Sequence, residues 1–469
     1  MAPADRPKTK SRDSEPRPRK SGGSATRLVV SEPRRVALEA LLRVEQDGAF
    51  LDRVLPAALA RSDMSPEDKG LAVEIATGVL RRRLWLDACL APHVRGGLEK
   101  LDPIVRDVLR IGAYQLVGLD RIPAHAAVST TVDLAKSKRR FAAGLVNAVL
   151  RKVASAPARS APDDFQGLAV YASVPQWIAD ELQLTFDALS KEQDPHRTLL
   201  GPSSTVSDVL LALAKPAHPM LRVLENRIAQ KTLVETLKSK GINASPCRFS
   251  TVGVGIERAG ELTSLPGFGS DFIAQDEAAQ LVCELARDEK GPTLDGCAAP
   301  GGKTLALWSM GHEALTSVDV HENRVRLLRA TLSSAKVSGT VMHASMEAPP
   351  FPAESFNTVL LDAPCTGSGT LRRHPDLRWS LKPDDVGRMS ALQSSILAGS
   401  ARLVRPGGCL IYAVCSFLAA EGTEVIEAFV RENKDFGVDT WLTTAPHMDV
   451  MDGFYAAKLR RRATPDLAA

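Results

Sequence analysis

The stretch "TLDGCAAPGGKTLALW", residues 293–308, starts as a short apolar run that ends in Asp295. Small residues and the Gly301-Gly302 pair follow, and an apolar helical pattern begins at Lys303. That order reads as strand, tight turn, helix. The alternation continues downstream. "ALTSVDV" precedes the helical "ENRVRLLRATLSSAK", and "TVMHAS" leads to "NTVLLDAPC". The helical "PDDVGRMSALQSSILAGSARLV" leads to "GCLIYAVCS", and "EGTEVIEAFVREN" comes after it. Such alternation predicts an α/β doubly wound, mostly parallel sheet with helices on both faces, over residues 286–469. In this kind of sheet, ligands bind beyond the carboxyl ends of the strands, at the topological switch point.

The strand ends carry candidate chemistry. Glycines in the turn 295–304 let a ligand approach the backbone, and the following helix N-terminus favours negative charge. The turn is not GxGxxG. It is not a phosphate-binding Walker loop either, because Ala298 stands where that loop needs glycine. "SVDV" ends in Asp319, roughly 20 residues after the turn, the place of an acid that accepts from ribose hydroxyls. Turn and acid together indicate an adenosine-bearing ligand. Without the dinucleotide fingerprint, S-adenosyl-L-methionine fits better than NAD. Its expected contacts are Cys297, Ala298, Ala299, Pro300, Gly301, Gly302, Lys303, Asp319 and Asp362.

Asp362 closes the fourth strand and Cys365 follows it in "LLDAPCTGSG"; Cys415 closes the fifth, "LIYAVCSF". Neighbouring strands would bring both thiols and the acid over one cleft. One buried cysteine needs no explanation, but two at adjacent strand ends beside an acid do. The chain has seven cysteines, widely spaced and never as CxxC, which argues against a disulfide scaffold and against a metal site. Cys89, Cys247 and Cys283 read as small buried apolar residues. No metalloprotease, serine-hydrolase or kinase signature is present. The residues alone leave open which thiol is the nucleophile.

At 469 residues the chain is too long for one ordinary core. Residues 1–30 carry a net charge of +5 in a Pro/Ser/Gly-rich context and are expected to be a disordered tail. Residues 31–155 read as all-α. Val36, Ala40, Leu41 and Val44 share a helical face, Asp102 and Pro103 mark a helix start, and Leu145, Val146, Val149 and Leu150 are expected to sit together. Residues 156–285 read as a linker and a small α+β piece. No apolar run nears the roughly 18 residues of a membrane span. The N-terminus has no signal-peptide core, and its acids argue against a transit peptide, so a cytoplasmic protein is expected. Three basic clusters stand out in an otherwise neutral body: Arg81, Arg82 and Arg83; Lys138, Arg139 and Arg140; Arg372 and Arg373. They are expected to grip RNA phosphates.

"DGCAAPGGKT", "VLLDAPCTGSGTLRRHPDLRW" and "YAVCSF" resemble the motifs of the Sun/Fmu-type RNA cytosine-C5 methyltransferases. "LRIGAYQLVGLDRIPAHAAVSTTVDLAK" and "AAGLVNAVLRKV" resemble the NusB-like N-terminal domain of its bacterial 16S rRNA members; "LPGFGSDFIAQDEAAQLV" and "DGFYAAKL" match too. The resemblance covers most of 31–469, is weak over 156–220 and leaves the tail out. It implies a class I (Rossmann-like) methyltransferase domain behind a NusB-like RNA-binding domain, acting as a monomer. It also implies S-adenosyl-L-methionine as methyl donor and RNA, 16S rRNA first, as partner. By the same resemblance Cys415 adds to cytosine C6, Cys365 assists release, and Asp362 faces the base N3. Some positions depart from the pattern. Ala344 and Ser345 replace an acid after the third strand, Gly296 and Val414 replace a larger apolar residue and a threonine, and Leu224 replaces an asparagine. Two rivals are a DNA cytosine-C5 methyltransferase using Cys365 and a non-enzymatic NusB-like RNA binder with a decayed catalytic domain.

Overall fold

The computed structural model describes residues 31–157, 160–191, 204–257, 262–448 and 451–463. The tail 1–30, and with it the expectation of disorder, lies outside the described residues.

Helices Glu32–Asp47, Pro66–Arg81, Pro103–Val117, Ala124–Lys138 and Ala143–Ser155 bury apolar stripes against one another in a common core. Val36, Ala40 and Leu41 are buried on one face, with Val44 half-buried beside them. Asp102 caps the third of these helices: its side chain accepts from the Ile104 backbone N–H at 2.9 Å, and Pro103 occupies the first turn. Leu145 differs from the expectation. It is 38% exposed, whereas Val146, Val149, Leu150 and Val153 are buried. The stripe runs i, i+3, i+4, i+7 from Val146, and Leu145 stands about 100° off it.

Three helices, Phe165–Ala172, Gln176–Lys191 and Val206–Leu213, follow. A small antiparallel sheet then forms from β1 (Met220–Val223), β2 (Ala244–Pro246), β3 (Gly253–Ile256) and β4 (Phe272–Ala274), in the order β2-β3-β1-β4. Helix Gln230–Ser239 covers it through Leu233, Val234 and Leu237.

The large sheet has seven strands: β5 (Thr293–Asp295), β6 (Leu315–Asp319), β7 (Thr340–His343), β8 (Phe356–Asp362), β9 (Val404–Val414), β10 (Phe436–Thr444) and β11 (Phe454–Arg461). Their order is β10-β11-β9-β8-β5-β6-β7. The pairs from β7 to β9 are parallel, and β11 inserts antiparallel between β9 and β10. Val359, Leu360 and Leu361 of β8 are fully buried in succession, as a strand covered on both faces requires. Chain order reverses at β5, between β6 and β8, which opens a cleft at their carboxyl ends.

Arg378 ties the three parts together. It is fully buried, and its guanidinium donates to the carbonyls of Arg81, Ala172, Ser173, Leu213 and Leu371. Next to it, Trp379 Nε1 donates to Leu80 O at 3.0 Å. No helix among the described residues is long and apolar enough to cross a membrane.

Candidate active site

The β5 turn places its residues against the cleft through one demanding backbone position. Gly301 has φ of +112°, which side-chain-bearing residues avoid, and helix Gly302–Ser309 starts directly after it. Asp295 closes β5 and is fully buried. Thr304 Oγ1 donates to its Oδ2 at 2.7 Å, while Oδ1 has no hydrogen-bond partner among the described residues. Burial pushes this carboxyl up to about 7. The unfolded chain releases the same proton near the ordinary value of about 3.9. Between those pH values the unfolded state binds fewer protons, so stability falls as pH rises from about 4 to about 7. Asp295→Asn should lose this fall relative to the parent chain. Parallel melting-temperature profiles for the two proteins over that pH range would show that the carboxyl ionises freely.

Asp319 closes β6 and is buried. Its Oδ1 accepts from His321 N at 3.0 Å; its Oδ2 accepts from Ala299 N and pairs with Arg324 Nε, both at 3.3 Å. Two carboxylate oxygens offer about four acceptor sites, so capacity remains for a diol. The neighbouring β7 end carries Ala344 and Ser345 where an acid was expected: Ala344 N donates to Asp319 O, and among the described residues the Ser345 hydroxyl bonds with Glu347, which is exposed.

Asp362 closes β8, in register with Ala413 of β9, so the two cysteines that follow these strands meet above the sheet. Their sulfurs lie 3.3 Å apart, a hydrogen bond between free thiols. The bond to Cys415, and then burial, hold the Cys365 thiol well above the ordinary cysteine range. Lys303 reaches across from its helix to donate to Asp362 Oδ2 at 2.6 Å. Burial opposes the charge on Lys303, but Asp362 beside it, together with Cys283 and Cys415, holds the ammonium above the usual lysine range. The Lys303 Nζ also lies 5.6 Å from the centre of the Phe454 ring. The cleft thus brings together the β5 turn, Asp319, Asp362, Cys365 and Cys415.

Sequence reasoning missed the residue that fixes this geometry. Glu421 is fully buried, six residues after Cys415. Its Oε1 accepts from Thr366 N at 2.8 Å and Gln393 Nε2 at 3.2 Å. Its Oε2 accepts from Thr366 Oγ1 at 2.6 Å and Ser416 Oγ at 2.5 Å. Thr366 adjoins Cys365 and Ser416 adjoins Cys415, so one carboxylate clamps both thiol-bearing turns. Within "FLAAEGTEV" it looks like an ordinary polar residue near a helix start; only the tertiary fold buries it. Gly369 is a second such residue. Its N–H donates to Cys415 O and its carbonyl accepts from Gly453 N. A β-carbon there would stand 1.9 Å from Gly453 O.

The basic clusters do not form one exposed patch. Arg372 is buried and donates to the carbonyls of Pro446 and Pro216. Arg373 is half-buried and pairs with Asp276 and Asp452. These two hold the turn after Cys365 onto the rest of the domain. Arg81 and Arg82 are buried too, and Arg82 lies 4.0 Å and 4.3 Å from the ring centres of Trp85 and Tyr171. Arg83 pairs with Glu45, Lys138 with Glu39 and Arg139 with Asp102; Arg140 is exposed. Charge runs in sequence do not report burial, and an arginine stem packs as readily as it solvates.

Two family models match the chain: "16S rRNA methyltransferase RsmB/F" over residues 282–460 and "NusB family" over residues 31–155. The chain is 33% identical to the ribosomal RNA small subunit methyltransferase B of Pseudomonas putida, over 91% of this chain and 98% of that protein. It is 30% identical to the probable ribosomal RNA small subunit methyltransferase B of Bacillus subtilis, over 92% of this chain and 98% of that protein. A solved structure titled PH0851 shares the fold over 92% of this chain and 99% of its own, with a TM-score of 0.73 at 21% identity. The cofactor of such a methyltransferase is S-adenosyl-L-methionine, and the strand ends carry groups that suit it: the β5 turn runs into a helix N-terminus at Gly302, and Asp319 places a carboxylate at the end of β6. The chain belongs to the 16S rRNA methyltransferase RsmB/F family and carries a NusB-family domain ahead of its catalytic sheet.

Proposed function

We propose that this protein methylates C5 of a cytosine in RNA, 16S rRNA first, through a covalent adduct between Cys415 and cytosine C6, working in the cytoplasm as a monomer. The observation that carries this reading is the pair of thiols 3.3 Å apart, beside Asp362 held by Lys303. Cytosine C5 is a poor nucleophile. Addition of a thiolate to C6 makes C5 enamine-like and able to take a methyl group. S-adenosyl-L-methionine supplies that methyl group on a positively charged sulfur.

The chain's own residues would do the rest. The Cys365 thiol, held above the ordinary range, faces the Cys415 sulfur at 3.3 Å and can hydrogen-bond to it as Cys415 attacks. Lys303 adds positive charge nearby. Asp362, fixed through Oδ2, presents Oδ1 to the base N3, where it can hold or share a proton as the adduct forms. After transfer the C5 proton passes to water, the C5–C6 double bond re-forms as the Cys415 sulfur leaves C6, and Cys365 assists that expulsion by hydrogen-bonding to the departing sulfur. The base must stand out of its stack, so unpaired RNA is the natural substrate. The test is methyl transfer from labelled S-adenosyl-L-methionine to unmodified 16S rRNA and to duplex DNA, followed by mapping of the product base. Label in DNA alone, or at a position other than cytosine C5, would overturn the reading.

We further propose that Asp319 holds the cofactor ribose, as its place at the β6 end and its spare acceptor sites support. Asp319→Ala should weaken S-adenosyl-L-methionine binding about tenfold or more, since a hydrogen bond to a charged group contributes roughly 1.5–3 kcal/mol. Calorimetric titration that finds the parent affinity in this variant would reduce Asp319 to a structural strand end.

A further inference from the structure

Where the helical domain meets the helices that follow it, a cavity of about 690 Å³ opens beside Arg81, Arg82, Trp85, Tyr171 and Lys215. A second cavity, of about 430 Å³, lies beside Arg81, Gln275, Arg372 and His374. Arg81 borders both. It is only 7% exposed, its Nε has no hydrogen-bond partner, and its guanidinium has no hydrogen bond or ion pair among the described residues.

The surroundings make this unusual. Arg82 packs over two aromatic rings, Arg372 donates to two carbonyls, and Arg378 donates to five. None of these four arginines has a carboxylate at ion-pair distance among the described residues, although Glu74 attracts Arg81, and Asp452 and Asp276, which line the second cavity and pair with Arg373, attract Arg372. Burial lowers the proton affinity of Arg372 to about 10 and of Arg378 to about 9, with Arg81 adding repulsion to each. Glu74, on the cavity wall, already accepts from the Tyr114 hydroxyl at 2.6 Å. A guanidinium buried without a direct carboxylate pair is costly, and its fork is matched to a phosphate.

We propose that the junction cavity is a phosphate site for a single-stranded segment of the RNA substrate, with Arg81 as its principal donor. The volume suits a nucleotide. The path to the cleft is short: the second cavity reaches Gln275, whose Nε2 would lie 3.7 Å from a β-carbon on Gly302, next to Lys303. The RNA assignment rests on the proposed substrate class. The test is run without a methyl donor, so it does not depend on the cysteine chemistry.

Full-length protein and its Arg81→Met variant would be titrated with unmodified 16S rRNA transcript across a range of potassium chloride concentrations. The variant should bind about tenfold more weakly or worse, as expected for one lost charge-assisted contact. Its log affinity should fall less steeply with log salt, by about 0.7 for one single-strand phosphate. Its melting temperature without RNA should match or exceed the parent's, because an unpaired buried charge has been removed. Parent affinity and slope in the variant would overturn the proposal, and so would a melting temperature several degrees lower, which marks a structural arginine. Millimolar inorganic phosphate provides the second arm. If it raises the melting temperature of the parent but not of the variant, while the RNA slope is unchanged, the cavity holds a small free anion and the RNA assignment falls.

Discussion

Cys415→Ala should abolish both methyl transfer and any covalent RNA complex, whereas Cys365→Ala should still form a complex and fail to release it. The asymmetry follows from the order of events: attack precedes transfer, and release follows it. Removing a catalytic nucleophile costs on the order of 10⁴-fold or more, so residual activity in Cys415→Ala should be near background. Cys365→Ala also removes the thiol that hydrogen-bonds with Cys415 at 3.3 Å, so attack should slow somewhat but persist. The trapped species should appear as an RNA-linked band on denaturing gels, with the cross-link mapped to Cys415 by mass spectrometry. The DNA-type alternative predicts the reverse, with the complex lost in Cys365→Ala, and a decayed catalytic domain predicts no complex in either variant. A cross-link on Cys365 would overturn the assignment of roles.

The sheet was legible because its signals are local. Strands buried on both faces read as short apolar runs, and each ends in, or is followed at once by, a residue that punctuates the text: Asp295, Asp319, Asp362, Cys415. The meeting of the two cysteines was legible for the same reason, since parallel neighbours end on one side. What stayed hidden depends on contacts between distant residues. Glu421 reaches Thr366, 55 positions away, and nothing in its own neighbourhood marks it as buried. Arg372 and Arg378 sit in a basic-looking segment, yet their guanidinium groups bond carbonyls from other parts of the chain. The order β9-β11-β10 at the antiparallel end of the sheet was likewise set by long-range pairing that periodicity does not encode.

Glu421→Ala should cost the fold about 3 kcal/mol and uncouple the two thiol-bearing turns. The substitution strands Thr366 N, Thr366 Oγ1, Ser416 Oγ and Gln393 Nε2 in a buried pocket. Each buried donor left unmade costs about 1–3 kcal/mol, and the hydroxyls can rotate to recover part of it. The conservative Glu421→Gln separates packing from charge. It preserves volume and keeps an acceptor for Thr366 N, so most of the stability should return. The negative charge does not return, and that charge contributes to holding the proton on Cys365. In Glu421→Gln, Cys365 should therefore ionise more readily and compete with Cys415. Iodoacetamide labelling read residue by residue would show it: Cys415 labels first in the parent, and the Cys365 rate rises in the glutamine variant. Thermal melts and labelling together decide the matter. A glutamine variant as stable as the parent, with the parent's labelling order at every pH, would leave Glu421 as a purely structural clamp. An alanine variant that melts with the parent would remove even that role.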